Sequence, residues 1–289
     1  MTVTMTWDEV PAPVRATVRE HIGEVAEATD VSAGQSSDLS TVLHPQHGRR
    51  VFVKGVRGRS RRMRWLRNEI TAGALVPGIA PVVVFHADVD QWLVVGFEYL
   101  PGRAASLAPG SADLPLVASV VERISEVRAP ELRPLRDRWA VTDWWEKLAA
   151  EAPGMVAGWD VAEMARYSAA VPGLVGGDRM LHTDLHAEQF LIGPDGGVRV
   201  IDWGFPGCGA AWVDTAFLVL RLIDAGHRPE QAEAWARRLE CFSGVPDATL
   251  TAFAVYVAGL WGYWAATDAA PGAGHRARLA RDYAAWRLA

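Results

Sequence analysis

Cysteine and lysine are both scarce in this sequence of 289 residues. It contains two cysteines, Cys208 and Cys241, so the sequence implies no disulfide framework and a reducing compartment is the expectation. Only two of its 29 basic residues are lysines, Lys54 and Lys147. A compact ammonium and a planar guanidinium do different work, so a lysine kept in an arginine-rich chain is a candidate for a position that requires lysine.

Long hydrophobic runs and excess positive charge are also missing. No stretch approaches the roughly 18 uninterrupted apolar residues that span a membrane, and the N-terminus lacks a basic start followed by an apolar run. The formal net charge of −5 argues against affinity for nucleic acid or for anionic membranes. We therefore expect a cytoplasmic protein with a small-molecule partner and no nucleic acid or membrane partner. The sequence does not indicate an oligomeric state.

Apolar patterning divides the chain into a strand-rich first third and a helix-rich remainder. A helix is predicted at 14–28, a hairpin at 39–43 and 51–56, a helix at 61–76, and two more strands at 81–85 and 92–97. Later helices are predicted at 114–127, 141–149, 161–170, 211–225, 229–242, 248–267 and 274–288, with a second hairpin at 190–192 and 198–201. This order predicts an α+β protein with two lobes, 1–100 and 101–289.

The strongest chemical signal is the segment His182-Thr-Asp184-Leu-His186-Ala-Glu-Gln189, followed after a hairpin by Ile201-Asp202-Trp203-Gly204. Phosphoryl transfer needs a carboxylate that orients and deprotonates the attacking hydroxyl, and oxygen ligands for Mg²⁺. Asp184 fits the catalytic base. Gln189 and Asp202 fit a magnesium site approached from two sides.

This arrangement resembles the protein-kinase-like superfamily, and specifically its aminoglycoside phosphotransferase and choline kinase branch, which shows an H-G-D-L-H-x-x-N run and an I-D-[WF] run. The resemblance covers about residues 33–204. It implies a two-lobed protein-kinase-like fold with a small β-rich N-terminal nucleotide-binding lobe and a larger, mainly helical C-terminal lobe. It also implies that His182 supports the catalytic loop.

Two charged residues upstream match the same family. Lys54 ends an apolar run, as expected for the lysine that holds the nucleotide phosphates, and Glu69 lies on the next helix, where the family has the carboxylate that pairs with it. These residues lie more than a hundred positions before the catalytic segment and were not used to find the resemblance. They therefore test it independently.

The resemblance assigns further nucleotide contacts. Gly34, Ser36 and Ser37 lie where the family has its phosphate-covering loop, in which small residues let backbone N–H groups approach the phosphates. The backbone of Glu98 and Leu100 would bind the purine. The implied cofactors are ATP or GTP, with neither preferred, and Mg²⁺.

Gln189 departs from the family, which normally has asparagine at this metal position. Magnesium requires nearly octahedral geometry, so the longer side chain could shift the bound ion or weaken its binding. The resemblance implies a small-molecule kinase that transfers the γ-phosphoryl group of ATP or GTP to a hydroxyl group, with an antibiotic as the expected acceptor. Two alternatives to this kinase stay open. One is a catalytically weak nucleotide-binding pseudokinase, and the other is a metabolic kinase that acts on choline, homoserine or a sugar.

The charge balance bears on the acceptor, a small molecule with a free hydroxyl. A polycationic aminoglycoside needs a cleft rich in carboxylates, but residues 205–289 hold eight acidic residues against eight arginines. Aromatic residues are abundant there, although many must belong to the core. The balance predicts a large, weakly charged antibiotic, such as a nucleoside, macrolide or peptide. An acidic excess in the helices before Asp184 leaves room for one or two ammonium groups.

Overall fold

The computed structural model describes residues 5–31, 37–267 and 272–289. They form two compact units. The first combines Met1–Ala105 with Glu188–Pro206, and the second combines Ser106–Ala187 with Gly207–Ala289. The segment 188–206 therefore folds with the N-terminal unit, although it lies far along the chain. Among the described helices, none is long and apolar enough to cross a membrane.

The strands of the described residues, in chain order, are β1 (Val25–Asp30), β2 (Leu39–Pro45), β3 (Val51–Arg57), β4 (Val83–Val89), β5 (Trp92–Glu98), β6 (Arg103–Ala104), β7 (Arg179–Leu181), β8 (Phe190–Ile192), β9 (Val198–Val200) and β10 (Gly207–Gly209). The helices are α1 (Ala12–Ile22), α2 (Arg61–Leu75), α3 (Leu114–Glu126), α4 (Leu135–Arg138), α5 (Trp144–Glu151), α6 (Val161–Leu174), α7 (Val213–Asp224), α8 (Pro229–Ala236), α9 (Glu240–Ser243), α10 (Asp247–Thr267) and α11 (Ala273–Leu288).

The first unit is built on an antiparallel sheet with the strand order β1-β2-β3-β5-β4. Alternate residues of β5 face opposite sides. Trp92 and Val94 belong to one apolar cluster, which includes α1, while Leu93 and Val95 belong to another, which includes Leu66 of α2. Both faces of β5 are therefore covered, which explains why this strand reads as a continuous apolar run. The predicted hairpin of β2 and β3 is confirmed.

The predicted helix at 14–28 is wrong in its second half. The helix α1 ends at Ile22, and Gly23 adopts a left-handed backbone with φ +85°. Residues 25–28 instead belong to β1, which pairs with β2. Ala and Glu favour helix in isolation, but a glycine at this conformation ends the helix and turns the chain onto the sheet edge.

The second unit is mainly helical, with α10 packed against α5, α6 and α11. Trp145 of α5 donates a hydrogen bond from Nε1 to the Val255 carbonyl at 2.9 Å. A side chain at Gly259 would lie within 2.7 Å of that indole, so glycine permits the close approach of α5 and α10. The helix predicted at 229–242 is two helices, α8 and α9. The chain between them tightens into i→i+3 bonds at Arg238 and Leu239.

Candidate functional site

The first unit contains a cavity of about 460 Å³, a volume typical of small-molecule sites. Its apolar wall comes from the five-stranded sheet with its connections and from the segment 188–206. That wall consists of Val31, Val42, Phe52, Ala80, Phe97, Leu191 and Ile201. Its polar lining includes Lys54, Glu69, Glu98 and Asp202. The cavity thus combines a flat apolar region with a cluster of charges.

Lys54 is the centre of that charge cluster. Its Nζ donates hydrogen bonds to both carboxylate oxygens of Glu69, at 3.0 and 2.9 Å, and to Asp202 Oδ1. Lys54 is only 7% exposed. Burial by itself lowers the pKa of the ammonium, but the attraction of Glu69 and Asp202 outweighs it, so the pKa of Lys54 is raised. The predicted pairing of Lys54 with Glu69 is present, and Lys54 stays charged at physiological pH.

The helix α2 holds two parts of this cluster together. Ser60 caps its first turn by accepting a hydrogen bond from the Met63 N–H at 3.3 Å. Glu69 reaches Lys54 from the buried face, and the neighbouring Asn68 donates from Nδ2 to the Gly204 carbonyl at 2.9 Å. One helix therefore positions both the carboxylate that binds the lysine and the segment that follows Asp202.

The segment 188–206, which folds with the first unit, brings Gln189 and Asp202 together. The Ile201 N–H donates to the Gln189 carbonyl at 3.0 Å, and Asp202 follows directly with a left-handed φ of +62°. Gln189 is 5% exposed, and its Oε1 is buried with no hydrogen-bond partner in the described residues. A buried acceptor without a donor is costly unless a ligand satisfies it.

These two residues fit the predicted magnesium site. The donors are an amide oxygen and a carboxylate, which are the hard oxygen ligands that Mg²⁺ prefers. No cluster of three or more His, Cys, Asp or Glu side chains suited to a metal occurs in the described residues. Magnesium commonly takes only one or two protein ligands and completes its shell with water and phosphate oxygens, so this small set is sufficient.

The predicted purine contacts also line the cavity. Glu98 is fixed by two bonds to Val82, because its backbone N–H donates to the Val82 carbonyl at 2.8 Å and its Oε1 accepts the Val82 N–H at 2.9 Å. The Leu100 N–H makes no backbone hydrogen bond within the part of the chain that the structure describes. A free donor beside an apolar wall suits the edge of a purine base.

The predicted phosphate-covering loop is described only at its end. Gly34 and Ser36 lie outside the described residues. Ser37 is buried, and its hydroxyl lies 2.7 Å from the hydroxyl of Ser40, which lines the cavity. The next residue, Asp38, accepts the Arg57 N–H at 2.8 Å and pairs with Arg62 at 2.7 Å. The C-terminal end of the loop is therefore anchored to β3 and α2.

The second unit carries the predicted catalytic loop, which follows β7. His182 is fully buried, and its Nδ1 accepts the Asp184 N–H at 3.3 Å. Asp184 itself is open, with 44% of its side chain exposed. His182 therefore holds the backbone of the loop, while Asp184 presents its carboxylate to solvent.

Asp214, on the first turn of α7, is a site residue that the sequence analysis missed. Its two carboxylate oxygens accept the N–H groups of His182 at 2.6 Å and of Thr183 at 2.9 Å. Thr183 has a left-handed φ of +64°, an unfavourable conformation for a β-branched residue. Burial raises the pKa of Asp214, and the two N–H groups and His182 oppose that shift. The available signal was an acidic residue in the first turn of a mainly apolar helix.

Two arginines near the loop were also missed. Arg138 of α4 donates to the Thr183 hydroxyl at 3.3 Å, and Arg221 of α7 lies 3.7 Å from Asp184 Oδ1. Neither belongs to a local motif, so sequence spacing offered no signal for them. The surroundings of Asp184 are therefore richer in positive charge than its own segment suggests.

Comparison with known proteins identifies the family and the fold of this chain. The sequence matches the phosphotransferase enzyme family (APH) over residues 27–253. Aminoglycoside phosphotransferase APH(4)-Ia is similar in structure, with a TM-score of 0.65 and 14% identity over 95% of this chain and 97% of that chain. An aminoglycoside phosphotransferase from Alicyclobacillus acidocaldarius has a TM-score of 0.61 and 15% identity, over 97% and 96%.

Choline kinase LicA from Streptococcus pneumoniae has a TM-score of 0.60 and 14% identity, over 94% of this chain and 99% of that chain. No curated protein matches the sequence. Identities this low show a shared fold, and the predicted α+β protein-kinase-like fold is thereby confirmed. The family match covers well over half of the sequence. The chain therefore belongs to the phosphotransferase enzyme family and is a small-molecule phosphotransferase with a hydroxyl acceptor.

Proposed function

We propose that this protein transfers the γ-phosphoryl group of ATP or GTP to a hydroxyl group of a weakly charged antibiotic, with Asp184 as the general base. The observation that carries the proposal is the cluster of Lys54, Glu69 and Asp202 in an otherwise apolar cavity. A buried ammonium beside a flat apolar wall suits a ligand that joins a polyphosphate to a purine ring.

Nucleotide binding is supported on each side of the cavity. Lys54 would exchange its bond with Asp202 for phosphate oxygens and keep its two bonds with Glu69. Structures similar to this one were solved with ADP and with AMP-PNP, each together with hygromycin B. Glu98 and Leu100 would bind the purine edge, and Gly34, Ser36 and Ser37 would cover the phosphates.

Transfer chemistry is assigned to Asp184. The acceptor oxygen forms a bond to the γ-phosphorus as the bond from that phosphorus to the nucleotide breaks, and Asp184 accepts the hydroxyl proton. Its exposed carboxylate can receive a substrate. Its backbone N–H is held by His182, whose own N–H donates to Asp214. Orientation by a rigid loop reduces the entropy lost when the acceptor binds.

Magnesium would be held by Gln189 and Asp202, where it would neutralise the charge that develops on the phosphates. The buried, unpartnered Oε1 of Gln189 supports this assignment over a decayed site. The pseudokinase alternative rests on the glutamine alone, and the geometry around that residue does not favour it.

The acceptor class rests on charge more than on aromatic content. Most aromatic residues of the second unit are buried and pack on one another, as Trp139 does on Tyr256 at a ring separation of 4.7 Å. They form core rather than a binding wall. The arginines beside Asp184, however, oppose a polycation. We therefore favour a weakly charged antibiotic over an aminoglycoside or a choline-type metabolite.

The test is a transfer assay with the full chain, Mg²⁺ and either ATP or GTP. Chloramphenicol, uridine, erythromycin, hygromycin B, kanamycin, choline and homoserine would each be incubated with the enzyme, and mass spectrometry would detect the addition of one phosphoryl group. We expect a product with at least one weakly charged antibiotic. Magnesium removal by EDTA should abolish its formation.

Asp184→Asn serves as the catalytic control, because it removes the base and keeps the shape of the side chain. A kanamycin-like polyamine that exceeds every neutral antibiotic tenfold in kcat/KM would contradict the acceptor class. Products with choline or homoserine alone would establish the metabolic alternative. Failure to bind either nucleotide would contradict the whole proposal.

A further inference from the structure

Arg221 is the positive group closest to the proposed base in the described ion pairs. Its Nη2 lies 3.7 Å from Asp184 Oδ1, close enough for a strong charge interaction but too far for a hydrogen bond. Only 16% of its side chain is exposed. The carboxylate of Asp184 therefore stays able to accept a hydrogen bond from a substrate hydroxyl, while its charge is balanced from one side.

The guanidinium is held in place by packing. It lies over the ring of Trp261 of α10, 5.7 Å from the ring centroid, and its Nε is buried with no hydrogen-bond partner in the described residues. Burial and the nearby Arg276 lower the pKa of Arg221, while Asp184 and Asp224 oppose that shift. Asp224 is itself engaged by His275 at 2.5 Å. A guanidinium remains charged even in such surroundings.

We propose that Arg221 is a specificity-determining residue that cancels the attraction of Asp184 for ammonium groups, so that an acceptor with an ammonium group beside the reacting hydroxyl gains no advantage over a neutral one. The inference rests on the proposed function, since it takes Asp184 as the base. An acceptor hydroxyl must come within about 3 Å of that carboxylate. Any amine on a neighbouring carbon then meets both charges of the pair and gains nothing.

The size of the effect follows from simple electrostatics. A carboxylate without a counterion attracts an ammonium about 6 Å away strongly enough, in a partly exposed site, to change affinity about tenfold. Loss of the Arg221 charge should therefore improve binding of an amine-bearing acceptor by about tenfold. Binding of the matched neutral acceptor should not change, because it carries no charge for Asp184 to attract.

Chloramphenicol and its deacylated amine form such a pair, because removal of the dichloroacetyl group turns a neutral amide beside the hydroxyls into an ammonium group. The acyl group differs as well, so the Kd of each probe is compared between variants. Isothermal titration would measure the Kd of each on the full chain saturated with Mg²⁺ and AMP-PNP. In Arg221→Gln we expect the amine to bind about tenfold more tightly than in the wild type, with the Kd of chloramphenicol unchanged. Arg221→Lys should restore the wild-type ratio, because it restores the positive charge.

Arg278→Gln is the matched control. It removes the same charge from an exposed position of α11, and it lies two residues from Arg276, so it points to a different side of that helix. Its ratio of Kd values should equal that of the wild type. The double variant Arg221→Gln with Asp184→Asn should lose the gain, because the attracting carboxylate is absent.

Three results would overturn the inference. They are an unchanged ratio in Arg221→Gln, an equal gain in Arg278→Gln, and no measurable binding of either probe in both the wild type and Arg221→Gln. None of them contradicts the proposed function, which fails only in the nucleotide-binding and transfer assays. A merely structural role for Arg221 would weaken both probes together and leave their ratio constant.

Discussion

The cavity of the first unit and the catalytic loop of the second hold their carboxylates in different ways. In the cavity, Glu69 and Asp202 share one buried ammonium, which contacts both carboxylates directly and offsets one of their two negative charges. In the loop, Asp214 accepts hydrogen bonds from two backbone N–H groups, and Asp184 faces a guanidinium at a longer distance. For the proposed roles, direct contact suits a lysine that binds phosphate, and the longer distance suits a base that accepts a proton.

The largest expected effect comes from removing the proposed base in the catalytic loop. Asp184→Asn should lower kcat by about 10² to 10⁴, because it removes the proton acceptor. Stability and nucleotide affinity should hardly change, since the side chain is exposed. Steady-state kinetics, nucleotide titration and thermal unfolding would check this, with Asp195→Asn in the turn between β8 and β9 as control. More than half of wild-type activity in Asp184→Asn would show that another group is the base.

The next largest effect comes from a substitution in the cavity that keeps the positive charge of Lys54. Lys54→Arg should lower kcat/KM by about 10², because the planar guanidinium cannot occupy the small buried position between two carboxylates. Unlike Asp184→Asn, this change should also weaken nucleotide binding. Lys147→Arg is the matched control, because that lysine is exposed and only pairs with Asp143 at 2.8 Å. Equal kinetics in both variants would mean that Lys54 does not contact phosphate.

A smaller effect, on stability, tests the support of the loop. Asp214→Ala would leave two buried N–H groups without an acceptor, each at a cost of about 1–3 kcal/mol. We expect the free energy of unfolding to fall by about 2–4 kcal/mol, measured by urea denaturation. Asp214→Asn keeps one acceptor oxygen and should lose less. A change below about 1 kcal/mol in Asp214→Ala would show that solvent satisfies these groups.

The smallest effect concerns the magnesium ligand. Gln189→Asn should keep kcat/KM within about threefold of the wild type or improve it, because the shorter amide meets the octahedral demand of Mg²⁺. Gln189→Leu, of similar volume but without the oxygen, should raise the magnesium concentration required for half-maximal activity. Complete loss of activity in Gln189→Asn would indicate that the loop is built around the longer side chain.

Local pattern was enough for many elements. Apolar runs predicted the strands β2, β3 and β5, and the spacing of apolar residues predicted α2, α7, α10 and α11. The strand β1 was missed because its alanines and glutamate favour helix, and pairing with β2 overrides that preference. The short strands β6, β7 and β10 were missed as well, since two or three residues carry no measurable period and no turn sequence marks them as 193–197 marks the equally short β8 and β9.

The candidate site residues also divide into those that a local pattern predicts and those that it does not. Asp184, Gln189 and Asp202 could be named from one segment of sequence, because phosphoryl transfer restricts both the residue types and their spacing. Lys54 and Glu69 could be named because lysine is rare here and the family places such a pair. Asp214, Arg138 and Arg221 could not, because each contacts the loop from a helix outside that segment, and no local pattern records such a contact.

By itself, the sequence determined which residues can perform the chemistry, because a carboxylate, an amide oxygen and an ammonium are properties of the side chains. Only the tertiary structure decided which charges compensate one another. Lys54 meets Asp202 across 148 positions, and Asp214 meets His182 across 32. Hydrogen bonds and ion pairs act over a few ångströms in space, and no periodicity along the chain records them. The positive charge that lies beside Asp184 was therefore determined by the packing of α7, which carries Arg221.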